Sequence, residues 1–328
     1  MRRPNTVLMG VALVFVLLAI VLRSTDSNAD PASTTTAPAS TSLATTTTST
    51  LPTSTTTIPA GVAVCDLYGS VAVAGTVRSP DLVEASGIAA SRTTPGVLWS
   101  HNDSRGGATL YAFTTSGEDL GAHDVPDAFA LDWEDISAGP GPDGDGAFLY
   151  VGDIGDNFAI RDGFVTVYRV VDTDPTALDD AFPESVALTY RYPDGAHNAE
   201  ALFIDPVEPA LYIITKDSDQ AFVFRGTLEP SDGPIDLDLV TPLFVGAEIS
   251  AADMSADGAT LAVRGYQTVW MWHRDAGVSV SDMLSTQPCT APSPDERQGE
   301  AISLDERLAY WTVSEGTNPD IHLVSRDR

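Results

Sequence analysis

The sequence predicts an all-β fold, a five-bladed β-propeller closed by its N-terminal strand, with a six-bladed ring as the alternative. Three observations predict it. One pattern recurs five times: a small or acidic lead-in, an apolar strand, a turn, and a second apolar strand that ends in polar residues. The copies open at Glu84-Ala-Ser-Gly-Ile88, Trp133-Glu-Asp-Ile136, Ala199-Glu-Ala-Leu202, Ala252-Asp-Met254 and Gly299-Glu-Ala-Ile302. Their anchors Ile88, Ile136, Leu202, Met254 and Ile302 are spaced by 48, 66, 52 and 48 residues, and periods of roughly 40–50 residues with about four short strands each mark propeller blades. The fifth unit stops after its third strand, at 321–324, while an unassigned strand at 70–77 precedes the first unit. The N-terminal strand is therefore expected to complete the last blade, which removes the edges an open sheet would expose.

The elements follow in order. Second strands run through 97–103, 148–153, 210–216, 261–264 and 308–315, third strands through 109–113, 165–170, 221–225 and 269–272, and fourth strands through 185–191 and 239–245. All are short alternating or continuously apolar runs bounded by Gly, Pro, Asp and Ser, the pattern of strands rather than helices. The aromatics Trp99, Tyr150, Tyr212 and Trp311 occupy corresponding second-strand positions and read as packing between blades. The run Pro142-Asp-Gly-Asp-Gly146 has the composition of half a calcium loop, but its place between two strands makes it a turn.

Residues 1–23 form a separate system. Arg2 and Arg3 precede an apolar run of sixteen residues, Val7 to Leu22, and Arg23 follows it. Its length lies between a signal-peptide core and a membrane span. The expectation is an uncleaved anchor with the N-terminus inside, a single pass with an extracytoplasmic C-terminal domain; the alternative is a secreted chain cut near Ala29. Residues 24–60 read as a disordered linker, since eighteen of the thirty residues from 31 to 60 are Ser or Thr and four are Pro. Residues 61–328 are the propeller domain.

Beyond residue 60, 44 acidic side chains face 14 basic ones. Such a domain repels nucleic acid and anionic lipid, so the expected partners are cations and a small-molecule, peptide or glycan ligand at the cell surface, bound by a monomer. Solubility alone accounts for the charge equally well. Both cysteines lie in the exported part, where disulfides persist. Cys65 stands just before the closing strand and Cys289 before the first strand of the fifth blade, so a bond between them is expected to staple the ring.

The start of each innermost strand and the end of each second strand share one face of the ring, because the two run antiparallel. That places Glu134, Glu200 and Glu300 in equivalent slots around the axis, each two residues before its anchor, with Asp132, Asp135, Asp253 and His197 in the same loops. Second-strand ends add His101, Asp103, Asp153, Asp156, Lys216, Arg264 and Glu315; Lys216 is the only lysine in the chain. Converging carboxylates repel and rise in pKa unless a cation neutralises them. Hard oxygen donors suit calcium or magnesium, with Glu134, Glu200, Glu300, Asp135 and Asp156 as the candidate ligands. The competing reading is structural: carboxylates repeated at blade starts cap neighbouring backbone N–H groups. His123, His273 and His322 fall elsewhere and read as structural. Hydrolase, zinc-protease, phosphate-loop and dinucleotide fingerprints are all missing from the sequence.

The strings His101-Asn-Asp-Ser104, Asp132-Trp-Glu-Asp-Ile136, Leu149-Tyr-Val-Gly-Asp-Ile-Gly-Asp-Asn157, Tyr192-Pro-Asp-Gly-Ala-His-Asn-Ala-Glu-Ala201 and Gln298-Gly-Glu-Ala-Ile302 resemble a family of secreted or membrane-anchored actinobacterial β-propeller proteins. The resemblance spans roughly residues 80 to 328 and implies export and a propeller, with no activity attached. More distantly, the Glu-Ala-(Ile/Leu) blade starts are similar to phytase-like and esterase-like propellers, which implies calcium held by carboxylates. Only Arg105, Lys216 and Arg264 supply positive charge to the rim, which argues against a phytase. The expected function is an extracytoplasmic binding module with a cation-binding acidic rim. The alternatives are a calcium-dependent esterase or phosphoesterase and a cell-surface scaffold.

Overall fold

Ring closure is achieved by the strand β1 (Tyr68–Thr76), which the chain makes before any blade exists and which pairs antiparallel with the last strand of the fold. The computed structural model describes residues 58, 61–103, 106–217 and 219–327. The expected hydrophobic segment, most of the Ser/Thr-rich linker and Arg105 lie outside the described residues. Blade 1 holds β2 (Ala85–Ala90), β3 (Val97–Asn102), β4 (Thr109–Thr114) and β5 (Asp119–Asp124). Blade 2 holds β6 (Trp133–Gly139), β7 (Phe148–Asp153), β8 (Phe164–Val171) and β9 (Val186–Arg191). Blade 3 follows with β10 (Ala199–Asp205), β11 (Ala210–Thr215), β12 (Ala221–Thr227), a short β13 (Ile235–Asp236) and β14 (Asp238–Leu243). In blade 4 are β15 (Ala251–Met254), β16 (Thr260–Gly265), β17 (Thr268–His273), the helix α1 (Val280–Leu284) and β18 (Cys289–Ala291); blade 5 is β19 (Gly299–Leu304), β20 (Tyr310–Ser314), β21 (Asp320–Arg326) and then β1. The result is a five-bladed propeller of antiparallel sheets. β13 departs from the pattern by leaving its own blade to pair parallel with β9, the outer strand of blade 2.

The innermost strands β2, β6, β10, β15 and β19 are buried at every residue. Neighbouring blades cover both faces of each, which is why they read as continuous apolar runs rather than as alternation. Five apolar clusters fill the gaps between successive blades. The aromatics expected to pack there do so: Trp99 lies between blades 1 and 2, Tyr150 between 2 and 3, Tyr212 between 3 and 4, and Trp311 between 5 and 1. At the seam, the turn between β4 and β5 meets the closing strand so closely that a Cβ on Gly117 would stand 1.9 Å from the Thr76 carbonyl. Gly117 also has φ +87°, so both the turn and the contact require glycine there.

Cys65 and Cys289 form the disulfide, with Cα atoms 6.0 Å apart across 224 residues of sequence. Its location corrects one expectation. Cys289 belongs to β18, the outer strand of blade 4, so the bond ties that outer edge to the segment entering β1 rather than to the innermost strand of blade 5. Among the described residues, every strand of the ring falls between residues 68 and 326.

Candidate functional site: an acidic rim at the start of the innermost strands

In four of the five blades the innermost strand begins with a β-bulge. The register between β6 and β7 skips Glu134, that between β10 and β11 skips Glu200, that between β19 and β20 skips Glu300, and that between β2 and β3 skips Ser86. Blade 4 pairs without a break. A bulge inserts one residue that the partner strand does not oppose and re-aims its side chain. The three glutamates therefore share a backbone geometry as well as a sequence slot.

Charge gathers at that end of the ring. Asp103, Asp132 and Glu134 each offer an oxygen within 4.8 Å of the others. Glu134 is 5% exposed and receives no hydrogen bond from a described residue. Burial first, then the neighbouring charges of Glu200, Asp103 and Asp132, push its pKa well above the ordinary carboxylate range, with Lys216 acting weakly the other way. Burial also lifts Asp103 to about 7, assisted by Asp132, Glu315, Glu200 and Glu84, and raises Asp132, against which Arg161 pulls down. A Cβ at position 155 would lie 2.2 Å from a Glu134 oxygen and 2.5 Å from an Asp132 oxygen, so a side chain there would displace both carboxyls.

In the neighbouring blade 3, Glu200 is paired with Lys216, whose ammonium also lies 5.4 Å from the centre of the Tyr266 ring. Burial opposes the charge on Lys216, but Glu200 outweighs it and the amine stays protonated. Burial, with Glu200 and Glu315, pushes Glu300 up to about 8 while Lys216 and Arg264 oppose. Glu315 accepts a hydrogen bond from Gln298.

Other expected rim residues are engaged elsewhere. Both oxygens of Asp135 are occupied by the N–H groups of Ile136, Leu202 and Ala252, so its carboxylate ties blade 2 to blades 3 and 4. Asp156 accepts the N–H groups of Ile160 and Arg161 and caps the loop after β7. Asp153 holds that loop to the preceding one by accepting from Asp132 N–H and from the Arg161 guanidinium. Arg264 is fully buried against Glu296 and the Ala301 carbonyl. His101 is buried edge-on to Trp133, and burial lowers its pKa to about 4, so it is neutral at physiological pH. His197 is held by Asp194 among Tyr192, Phe222 and Phe224. The capping expectation thus describes Asp135, Asp156 and Asp253, whereas Glu134 and Glu300 cap nothing among the described residues. Gly155 and Tyr266 were not singled out in the sequence; extending each second-strand end by two residues reaches both.

No family model matches the chain, and no curated protein matches it. Among solved structures, the chain is similar to the PQQ-bound aldose sugar dehydrogenase of Streptomyces coelicolor, at 13% identity and a TM-score of 0.42, over 78% of this chain and 98% of that one. A likeness at this level bears on neither ligand nor chemistry.

Proposed function

We propose that the domain is an exported binding module whose rim holds a divalent cation, calcium or magnesium, between Asp103, Asp132 and Glu134. One observation carries the reading: Glu134, 5% exposed and without a hydrogen-bond donor among the described residues, brings a carboxyl oxygen within 4.8 Å of Asp103 and Asp132, and Asp103 Oδ1 is buried without a partner among them as well. Elsewhere in the ring each comparably buried aspartate is satisfied by N–H, hydroxyl or guanidinium donors. A cation supplies what the donors do not, and three carboxylate oxygens are the donor type that calcium and magnesium take. The site stays shallow because the axis beneath it is filled by Asp135, Asp253, Ser137 and Ser303. A ligand with its own oxygen atoms would complete the coordination from the solvent side.

Thermal melts of the 61–328 domain with calcium, with magnesium and with chelator test the reading. Cation at a hundredfold excess over Kd should stabilise by about 2.7 kcal/mol, a rise in Tm of several degrees. Gly155→Ala should abolish the rise without altering any charge, because its methyl group intrudes on both carboxyls. A wild-type melt indifferent to all three additions overturns the proposal. The hydrolase alternative is favoured by the Lys216–Glu200–Tyr266 group beside the cluster, which would face a substrate bound to the metal. Calcium-dependent release of nitrophenol from nitrophenyl acetate or phosphate, lost in Lys216→Met, is its test.

A further inference from the structure

The face that carries the carboxyls also carries the most exposed apolar side chains of the ring. Among the exposed large hydrophobic residues, the four most exposed are Phe158 (84%), Phe129 (76%), Ile160 (71%) and Phe244 (66%). All four lie in loops or strand ends at the end where the innermost strands start. Phe129 and Leu131 lead into β6, two chain positions or fewer from the cluster residue Asp132 in the case of Leu131, and Phe158 and Ile160 belong to the loop that follows Gly155.

These side chains are held out. Asp156 accepts the N–H groups of Ile160 and Arg161, and Ala159 between the two apolar residues takes φ +51°, a conformation uncommon for a residue with a Cβ. Arg161 turns inward to Asp153, which also accepts from Asp132 N–H and so locks the two loops together. Tyr168 fixes the other loop through the N–H of Phe129. Displaying bulky apolar groups at this exposure costs hydration free energy that a purely structural loop has no reason to incur.

We propose that this rim docks onto a bilayer containing anionic phospholipid, Phe158, Ile160, Phe129 and Leu131 entering the interface while a cation at Asp103, Asp132 and Glu134 bridges to the lipid phosphate. The proposal rests on the cation reading above. Charge argues for the bridge: a domain with 44 acidic and 14 basic side chains beyond residue 60 is repelled by an anionic surface unless a cation intervenes. Shape argues for a bilayer. Phe158, Ile160, Phe129 and Leu131, each more than half exposed, protrude from two loops beside an ionic group, which suits a bilayer interface. Sequence outside the described residues agrees, because the apolar run Val7 to Leu22 has a length between that of a signal-peptide core and that of a membrane span.

Vesicle sedimentation of the 61–328 domain, in parallel with its melt, is the test. The domain should pellet with phosphatidylglycerol vesicles in millimolar calcium, and should stay in solution with chelator or with phosphatidylcholine vesicles. Phe158→Ser with Ile160→Ser should weaken partitioning about tenfold or more and leave the calcium-induced rise in Tm unchanged. A calcium-dependent melt without vesicle binding overturns the docking proposal and leaves the cation reading standing. Binding that survives the double substitution, or that soluble glycerol phosphate competes away at equal phosphate concentration, also overturns it. A melt that ignores calcium removes the cation reading itself.

Discussion

At the end of the ring where the innermost strands finish, the buried carboxylates are filled. Asp253 accepts Ser137 and Ser303 hydroxyls and the Leu304 N–H, with Arg92 4.0 Å away. Asp205 takes both guanidinium nitrogens of Arg274, and Asp172 takes the Ser91 hydroxyl and the N–H groups of Arg92 and Thr93. At the end where those strands start, Glu134 and Glu300 are 5% and 6% exposed and have no such donors among the described residues. Carboxyls that are buried in both places and treated oppositely separate a closure device from a site that awaits something from outside.

The comparison is broken most forcefully at the filled end. Arg274→Ala leaves Asp205 buried and unpaired between blades 3 and 4, and should cost about 3–5 kcal/mol, read as a large fall in the urea midpoint. If that loss is under about 1 kcal/mol, a buried carboxylate left with only the Val207 N–H is tolerable in this ring and the contrast loses its meaning.

A smaller effect sharpens it through pH. Glu300 titrates near 4.5 when unfolded and about 8 when folded, faced by Glu200 and Glu315 and opposed by Lys216 and Arg264. Between those values the folded state holds more protons than the unfolded, so stability falls as pH rises. The contribution is complete below the unfolded pKa and is lost as pH passes through about 8. In chelator the Tm should therefore drop from pH 5 to pH 8.5, and Glu300→Gln should flatten the drop. An unchanged slope in that variant would show that the carboxyl is hydrated and ordinary.

How much of this was legible without coordinates follows from where each residue is covered. Innermost and second strands are buried on both faces, so Ile88, Leu202 and Ile302 stand in apolar runs that repeat visibly. The outer strands are not. β5 reads Asp119-Leu-Gly-Ala-His-Asp124 and is largely exposed on one side, and β18 is three residues long, so neither carries a pattern to find. The shared slot of Glu134, Glu200 and Glu300 could be read from spacing, and the bulge that gives it meaning could not, because a bulge is a property of register between two strands. Spacing likewise gathered Asp135 and Arg264 onto the rim. One position of the pleat turns a side chain from the axis mouth to the backbone of the next blade, and only the neighbouring strands decide which.

The smallest expected effect is the most discriminating. Glu134→Gln replaces a carboxyl whose pKa is pushed up by burial and by Glu200, Asp103 and Asp132 with a neutral amide of the same volume, which can donate to the neighbouring carboxyls. In chelator this should leave stability within about 1 kcal/mol of the wild type, since a carboxyl that burial already holds toward its neutral form is exchanged for a neutral isostere. In calcium the wild type should be the more stable, because only it gains from binding. The same substitution at a filled position, Asp253→Asn, should destabilise in both conditions, as an amide cannot accept from Ser137, Ser303 and Leu304 with both of its ends. A Glu134→Gln variant that is strongly destabilised in chelator would mean that the carboxylate holds the blades together after all. The two ends of the ring would then differ in geometry but not in purpose.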